Sequence, residues 1–318
     1  MAGIWVFAES RDQTLELLNA GRELADKLSS KLTAFAADDK LAREFIDCGA
    51  DKVFLLPPLP DDQPFESHVP VLADTARDED PDAIFIGASS RGKEMAARLA
   101  ARLNTALCSG CVSFELDKDG KSLKMGRMVF GGAGIQTVVC ATRPQMATFA
   151  PRTFEPAQPQ QGRDGEIKQL SSAPASAVRV VGRAPKQCGS VDIIGAKIIV
   201  CVGRGLEKKE DISIAQELAR VLGGEVGCSR PVAEVLHWLP EEVYLGISGQ
   251  TVKPLLYVGL GVSGQVQHIT GIRDSKVIFA INRDENAPIF DVADFGIVGD
   301  LYQVVPKLIE ELKTALKV

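Results

Sequence analysis

Three glycines, Gly259, Gly261 and Gly264, follow the apolar run Leu255 to Val258 and spell GxGxxG. Glycines at this spacing let a strand turn sharply and bring backbone N–H groups against a phosphate or a flat ring. A second apolar run, Val277 to Ile281, ends at Asn282 with Asp284 just beyond. A polar group at the tip of the next strand, about 20 residues on, is where such sites hold a ribose hydroxyl. GxGxxG alone is a weak signal. The strand-like runs on either side make this stretch a candidate dinucleotide site. Cys108 and Cys111 form one CxxC. With no second pair and no nearby histidine it reads as two buried thiols, and no metal site is expected. No nucleophile, base and orienting group stand together anywhere, so no substrate chemistry is assigned.

The elements that must position these residues alternate. In the first half Ile4 to Ala8, Leu32 to Ala36, Val53 to Leu56 and Ala83 to Ile86 read as strands. Between them, Leu15, Leu18, Leu24, Ala25 and Leu28 recur at helical spacing, as do segments 41–48 and 69–77. Ser89 or Ser90 caps a helix over 93–103. This order predicts a parallel sheet covered by helices on both faces. Segments 108–116 and 123–130 flank Asp117-Lys118-Asp119-Gly120, a hairpin signal. With further strands at 136–141 and 146–149, the pattern predicts an antiparallel extension of the first sheet. From Phe154 to Cys188 the composition shifts to Pro, Gln, Ser, Gly and Ala. Only 167–170 and 178–181 look strand-like there, and the segment reads as a crossover ending the first domain.

A second alternating series follows: strand 198–202, helix 212–222 stopped by Gly223-Gly224, strands from Glu225 and Tyr244, and a last helix over 301–316. The fold class is therefore α/β, with two doubly wound domains. The N-terminal domain, 1–188, carries the antiparallel extension; the C-terminal domain, 189–318, has a Rossmann-like parallel sheet. Four successive loops of the second domain carry Arg204, Ser229 with Arg230, Gln250 with Thr251, and Ser263 with Gly264. In a parallel sheet these loops lie at the carboxyl ends of the strands and converge on one crevice.

Composition fits a soluble globular protein: 318 residues, 45% hydrophobic and 25% charged. A net charge of −6 argues against a nucleic-acid-binding surface. No apolar run is long enough to span a bilayer, and the N-terminus lacks the basic region of a signal peptide. The seven cysteines are scattered, several in apolar runs, which fits buried thiols in a reducing cytoplasm.

The stretch GVSGQVQHITG, followed by IFAINRDENAPIFDVADFGIVGD, resembles the C-terminal signature of the alpha subunits of electron transfer flavoproteins. Cys201-Val202-Gly203-Arg204-Gly205-Leu206 and Cys228-Ser229-Arg230-Pro231 are similar to earlier motifs of that family, in order. GRMVFGGAGIQ and RPQMATFAP in the first half look like the prokaryotic Fix-type members. The resemblance implies non-covalent FAD in the second domain and a partner beta subunit, with the first domain mainly forming the interface to it. It places around FAD Arg204, Ser229, Arg230, Ser248, Gly249, Gln250, Thr251, Ser263, Gly264, Gln265, Val266, Gln267, His268, Asn282, Asp300 and Leu301. Val252 departs from the family, which often has glycine there. A β-branched residue resists positive φ, so this turn is expected to be built differently.

Within that resemblance, Arg230 is expected to favour flavin forms that carry negative charge, His268 to donate a hydrogen bond at the pyrimidine edge, and Thr251 to bond the central ring edge. Asn282 and Asp300 are expected to address the adenosine diphosphate end. The implied function is electron relay from a dehydrogenase or NADH to an acceptor such as an acyl-CoA reductase or quinone-linked oxidoreductase, with electron bifurcation as a variant. Two alternatives stand beside it: an NAD-dependent dehydrogenase using GxGxxG, and a nucleotide-binding regulatory module.

Overall fold

The computed structural model describes residues 3–132, 134–160, 162–171, 176–183 and 192–316. The chain divides into two compact units, Met1–Arg183 and Ala184–Val318. The sequence-based boundary at 188/189 lies outside the described residues.

The first unit is built on a nine-stranded sheet. Its strands are β1 (Ile4–Phe7), β2 (Leu32–Ala36), β3 (Lys52–Leu55), β4 (Ala83–Gly87), β5 (Leu107–Leu116), β6 (Leu123–Val129), β7 (Gly134–Val139), β8 (Gln145–Phe149) and β9 (Glu166–Gln169). The order is β7-β6-β5-β8-β4-β1-β2-β3-β9. Helices α1 (Arg11–Leu28), α2 (Asp39–Asp47), α3 (Val69–Glu79) and α4 (Ser90–Leu103) join the parallel strands. β1, β2, β4 and β8 are buried at every position. That is why β1 and β4 read as continuous apolar runs rather than alternating ones, whereas β2 and β8 also bury Thr33, Gln145 and Thr148. Ser89, not Ser90, caps α4, its hydroxyl accepting from the Gly92 N–H at 2.9 Å. The hairpin β5–β6 and its neighbour β7 are antiparallel. The turn is closed by Asp119, which accepts from Lys121 N, Ser122 N and Ser122 Oγ. Those donors lower its carboxyl pKa to about 2.

Of the two strands expected after Phe154, the one at 167–170 is present as β9, which joins the sheet edge parallel to β3, so that the segment extends the first sheet as well as leading out of it. Residues 178–181 form no strand: Val178 and Val181 are exposed and pair with no ladder. β-branched residues favour strands only where a neighbouring strand receives them. The CxxC thiols of Cys108 and Cys111 are buried at a bulge in β5, the Cys111 thiol lying 3.3 Å from the Cys108 carbonyl. Burial raises the Cys111 pKa, keeping it protonated and a poor nucleophile.

The second unit is a wholly parallel six-stranded sheet: β10 (Ile198–Val202), β11 (Glu225–Ser229), β12 (Tyr244–Leu245), β13 (Leu256–Leu260), β14 (Ile278–Asn282) and β15 (Phe295–Val298). Its order is β12-β11-β10-β13-β14-β15. Counted within the unit this is 3-2-1-4-5-6, the doubly wound dinucleotide-binding order, whose switch point lies between β10 and β13. Alternation along β10 divides the core. Val200 and Val202 face α5 (Ile212–Leu222) and α7 (Leu301–Leu316), while Ile199 and Cys201 face the layer holding α6 (Val266–Ile272). Among the described residues no helix is long and apolar enough to cross a membrane.

Candidate functional site

A cavity of about 310 Å³ opens at the carboxyl ends of β10, β11, β12 and β13. It lies over the switch point, where the chain leaves neighbouring strands in opposite directions and a crevice is left between the loops.

Backbone packing holds the two central loops together. Gly203 N donates to Leu260 O at 2.9 Å and Gly205 N to Gly261 O at 3.0 Å. A Cβ on Gly261 would lie 2.6 Å from the Gly205 Cα, and φ there is +61°. Only glycine permits that approach with that backbone. Gly264 is tighter still, since a Cβ there would lie 2.2 Å from the Ile289 nitrogen. Gly261 and Gly264 thus serve loop packing as well as lining the cavity. Asn282 braces the same loop, its amide donating to Val262 O at 2.8 Å while its oxygen accepts from Asp284 N. From the other side Tyr302 fixes the loop after β10. Its hydroxyl donates to Asp211 at 2.5 Å and accepts from Glu207 N at 2.8 Å.

Of the residues expected around the ligand, Arg204, Ser229, Arg230, Ser248, Ser263, Gly264, Gln265, Gln267 and His268 line the cavity. Gly249, Gln250, Thr251, Val266, Asn282, Asp300 and Leu301 do not. Gly249 packs against Tyr244, where a Cβ would meet the ring at 2.2 Å. The Gln250 backbone closes the loop by bonding Tyr244 O and Gly246 N. The Asp300 carboxylate accepts from Tyr302 N at the start of α7, and the Leu301 side chain is in the core. The turn containing Val252 needs no positive φ at that position. Val252 is buried with its N–H on Gly271 O, and the unusual backbone falls on Gly246 instead, at φ +150°.

Sequence reasoning missed Pro231, Tyr244, Gly246, Ile247 and Val262, which also line the cavity. Gly246, after the short β12, was the available signal. It also missed the π-helix Pro231–Val235, closed by Leu236 N on Pro231 O at 3.0 Å. π-turns of this kind often mark functional sites.

The electrostatics are uneven. Arg204 is exposed and makes no ion pair with any described residue, which leaves it open to an anion. Arg230 pairs with Glu234 at 2.5 Å, and that carboxylate raises the guanidinium pKa. His268 is deeply buried. Its Nδ1 lies 3.0 Å from Leu245 O and its Nε2 2.8 Å from the Tyr257 hydroxyl. Burial lowers its pKa to about 4. Both ring nitrogens are therefore engaged within the protein, so the hydrogen bond expected from His268 to a ligand would require exchanging one of these partners.

FAD fits this donor set. A flat ring can rest on Tyr244, Ile247 and Val262, serines and loop N–H groups ring the opening, and the unpaired Arg204 suits a diphosphate.

Residues 4–175 match the model of the electron transfer flavoprotein domain, and residues 192–273 that of the electron transfer flavoprotein FAD-binding domain. The chain is 39% identical to Protein FixB of Escherichia coli O127:H6 over 307 residues, covering 96% of each chain. It is 39% identical to Protein FixB of Escherichia coli O139:H28 over 311 residues, covering 97% of each. Protein FixB of Shigella flexneri is likewise 39% identical, over 96% of each chain. With both units matched and these relatives aligned almost end to end, the chain belongs to the electron transfer flavoprotein alpha-subunit family and carries that family's FAD-binding domain.

Proposed function

We propose that the second unit holds the flavin end of FAD in the switch-point cavity and that the protein relays electrons through it as one half of a heterodimer. The observation that carries this reading is the position of the cavity in a 3-2-1-4-5-6 sheet, lined by Arg204, Arg230 and three serines. Bound FAD supplies the electron transfer. This chain's residues bind it, orient it and set the charge around it. Arg204 anchors the diphosphate, and Arg230 favours reduced, more negative flavin. Ser229, Ser248 and Ser263 supply hydrogen bonds at the cavity wall. Asn282 and Asp300 act at one remove, by fixing the loops after β14 and β15.

Membership of the family implies a beta-subunit partner. Two exposed apolar surfaces support its docking: the β6–β7 hairpin with Phe130 (87% exposed) and Ile135 (69%), and the edge strand β15 with Phe295 (65%). Patches of this kind mark interaction sites. The first unit contributes to the interface through the β6–β7 hairpin, and the second through β15. At the first unit's own switch point, between β1 and β4, Gln13 donates to Phe149 O at 2.8 Å, and Arg91 pairs with Glu9 and Glu66. A dehydrogenase or NADH as donor, acceptors such as an acyl-CoA reductase or quinone-linked oxidoreductase, and a cytoplasmic location complete the proposal.

The test is the visible spectrum of the protein purified with its beta subunit, before and after anaerobic NADH. Flavin bands are expected. Two flavins per heterodimer bleached by NADH would add bifurcation; one flavin reduced only through a donor dehydrogenase would give simple relay. No flavin bands after incubation with FAD would overturn the reading.

A further inference from the structure

Tyr302 stands in the first turn of α7, which follows the edge strand β15, yet its hydroxyl reaches the loop after β10, 91 to 95 residues back in the chain. One phenol serves both polarities there. It donates to the Asp211 carboxylate at 2.5 Å and accepts from the Glu207 N–H at 2.8 Å. The same carboxylate oxygen accepts from the Lys208 N–H at 3.0 Å. Two successive backbone amides of the loop are thus held, one by the phenol and one by the carboxylate that the phenol supports.

These amides lie three and four residues past Arg204. Between them and Arg204, Leu206 is in the core and Gly205 N bonds Gly261 O. Arg204 itself is flanked by two glycines, exposed, and without an ion pair to any described residue. Glycine-flanked backbone is loosely restrained, and a long cationic side chain loses rotamer freedom when it is placed. The aim of Arg204 is therefore set by how firmly the loop is tied on either side. On the amino side the tie is Gly203 N on Leu260 O, continuing the β10–β13 ladder. On the carboxyl side, beyond Leu206, it is Tyr302 with Asp211. Phenylalanine offers neither donor nor acceptor. Losing the hydroxyl would leave the Glu207 N–H without its partner and Asp211 with one donor fewer. Tyr302 keeps its proton, since burial raises its pKa and donation to Asp211 raises it further.

We propose that Tyr302 is a positioning residue for FAD: through Asp211 and the Glu207 and Lys208 amides it holds the loop after β10 so that the Arg204 guanidinium meets the diphosphate. The proposal rests on the reading that this cavity holds FAD with Arg204 at its diphosphate. It also gives the Asp300–Leu301 segment a role at one remove. The Asp300 carboxylate accepts from the Tyr302 N–H at 2.8 Å and Leu301 is in the core, so both seat the residue that ties the loop. α7 is a firm platform for it. Val305 and Ile309 are buried in the same core as α5, and Lys313 of α7 pairs with Glu217 of α5 at 2.6 Å.

The experiment is a double-mutant cycle on FAD affinity in the flavin-free heterodimer. Wild type, Tyr302→Phe, Arg204→Gln and the pair are each titrated with FAD at low and high salt. Tyr302→Phe is expected to weaken FAD about tenfold in the wild-type background, the scale of one hydrogen bond. With Arg204→Gln present the loss is expected to be about twofold or less, because the interaction that Tyr302 supports is already gone. Salt should weaken FAD binding by the wild type, as it screens an exposed ion pair, and do so less in Tyr302→Phe. A merely structural role gives the same loss in both backgrounds with unchanged salt dependence, and that result overturns the proposal, as does unchanged affinity in Tyr302→Phe. Should that variant not fold, Asp211→Ala opens the same tie and runs the same cycle. A heterodimer that takes up FAD but shows no coupling defeats this proposal alone. One that takes up no FAD defeats the cavity reading, and this proposal with it.

Discussion

The Arg230 guanidinium and the Glu234 carboxylate lie 2.5 Å apart across a single turn of π-helix at the mouth of the cavity. Arg230 is thus not a bare charge. Its field at the cavity is the difference between a cation and a nearby anion. Removing the cation should leave FAD bound but lower its potential, and removing the anion should raise it. Effective charge interactions near a protein surface run to about 1–4 kcal/mol. Arg230→Ala is therefore expected to lower the potential by roughly tens of millivolts, and Glu234→Gln to raise it by a smaller amount. Spectroelectrochemical titration of both variants and the double mutant checks the signs. If Glu234 acts through Arg230, its effect shrinks when Arg230 is absent.

Gly261→Ala should be costly. The new Cβ would press on the Gly205 backbone at 2.6 Å, and φ +61° is unfavourable for alanine. Overpacking of this kind costs about 1–3 kcal/mol. The melting temperature should fall and FAD retention with it, whereas Gly223→Ala, at a helix end with nothing within 4 Å, should keep its flavin.

Acid should destabilise the second unit through His268. Its folded pKa of about 4 lies below the ordinary 6.5, so the unfolded chain binds the extra proton first. The sign follows: stability is full above pH 6.5 and declines as pH falls toward 4, by roughly 3 kcal/mol at most. Melting curves from pH 7.5 to 4.5 should show this limb in the wild type and lose much of it in His268→Asn.

Cys108 and Cys111 should resist alkylation in the native protein, since burial holds Cys111 protonated. Mass spectrometry after iodoacetamide should find both modified only in denaturant. Rapid native labelling would restore a redox role to the CxxC.

Ile135→Asp places a charge on the exposed face of β7, where Ile135 is 69% exposed. The chain should keep its fold but bind the beta subunit about tenfold or more weakly, a loss typical of a disrupted apolar contact. Analytical ultracentrifugation with the partner would read it, and unchanged affinity would move the interface away from the hairpin.

Much of this was legible in the sequence, and the losses have physical causes. The buried parallel strands announce themselves as apolar runs, and the glycine loop after β13 as a packing requirement. β15 was not recognised because Phe295-Gly296-Ile297-Val298 is exposed at every position and shows no alternation. Residues 178–181 looked like a strand because propensity says nothing about a missing neighbour. The π-turn after Arg230 has no sequence period of its own. At the loop after β12 the cavity is lined by Tyr244 to Ser248, of which the sequence reading named Ser248; Gln250 and Thr251 lie outside that lining. The Tyr257–His268 contact required knowing that α6 folds back over β13, which no local pattern states.

The most direct test of the central claim is equilibrium titration of FAD into the flavin-free heterodimer, wild type against Ser263→Trp. Ser263 is exposed and lines the cavity, so tryptophan there fills the space without disturbing the core. The account predicts one FAD bound per alpha chain at this site and a loss of about a hundredfold or more in the variant, the scale of about 3 kcal/mol. FAD bound equally well by the blocked variant would place the cofactor elsewhere and contradict the account.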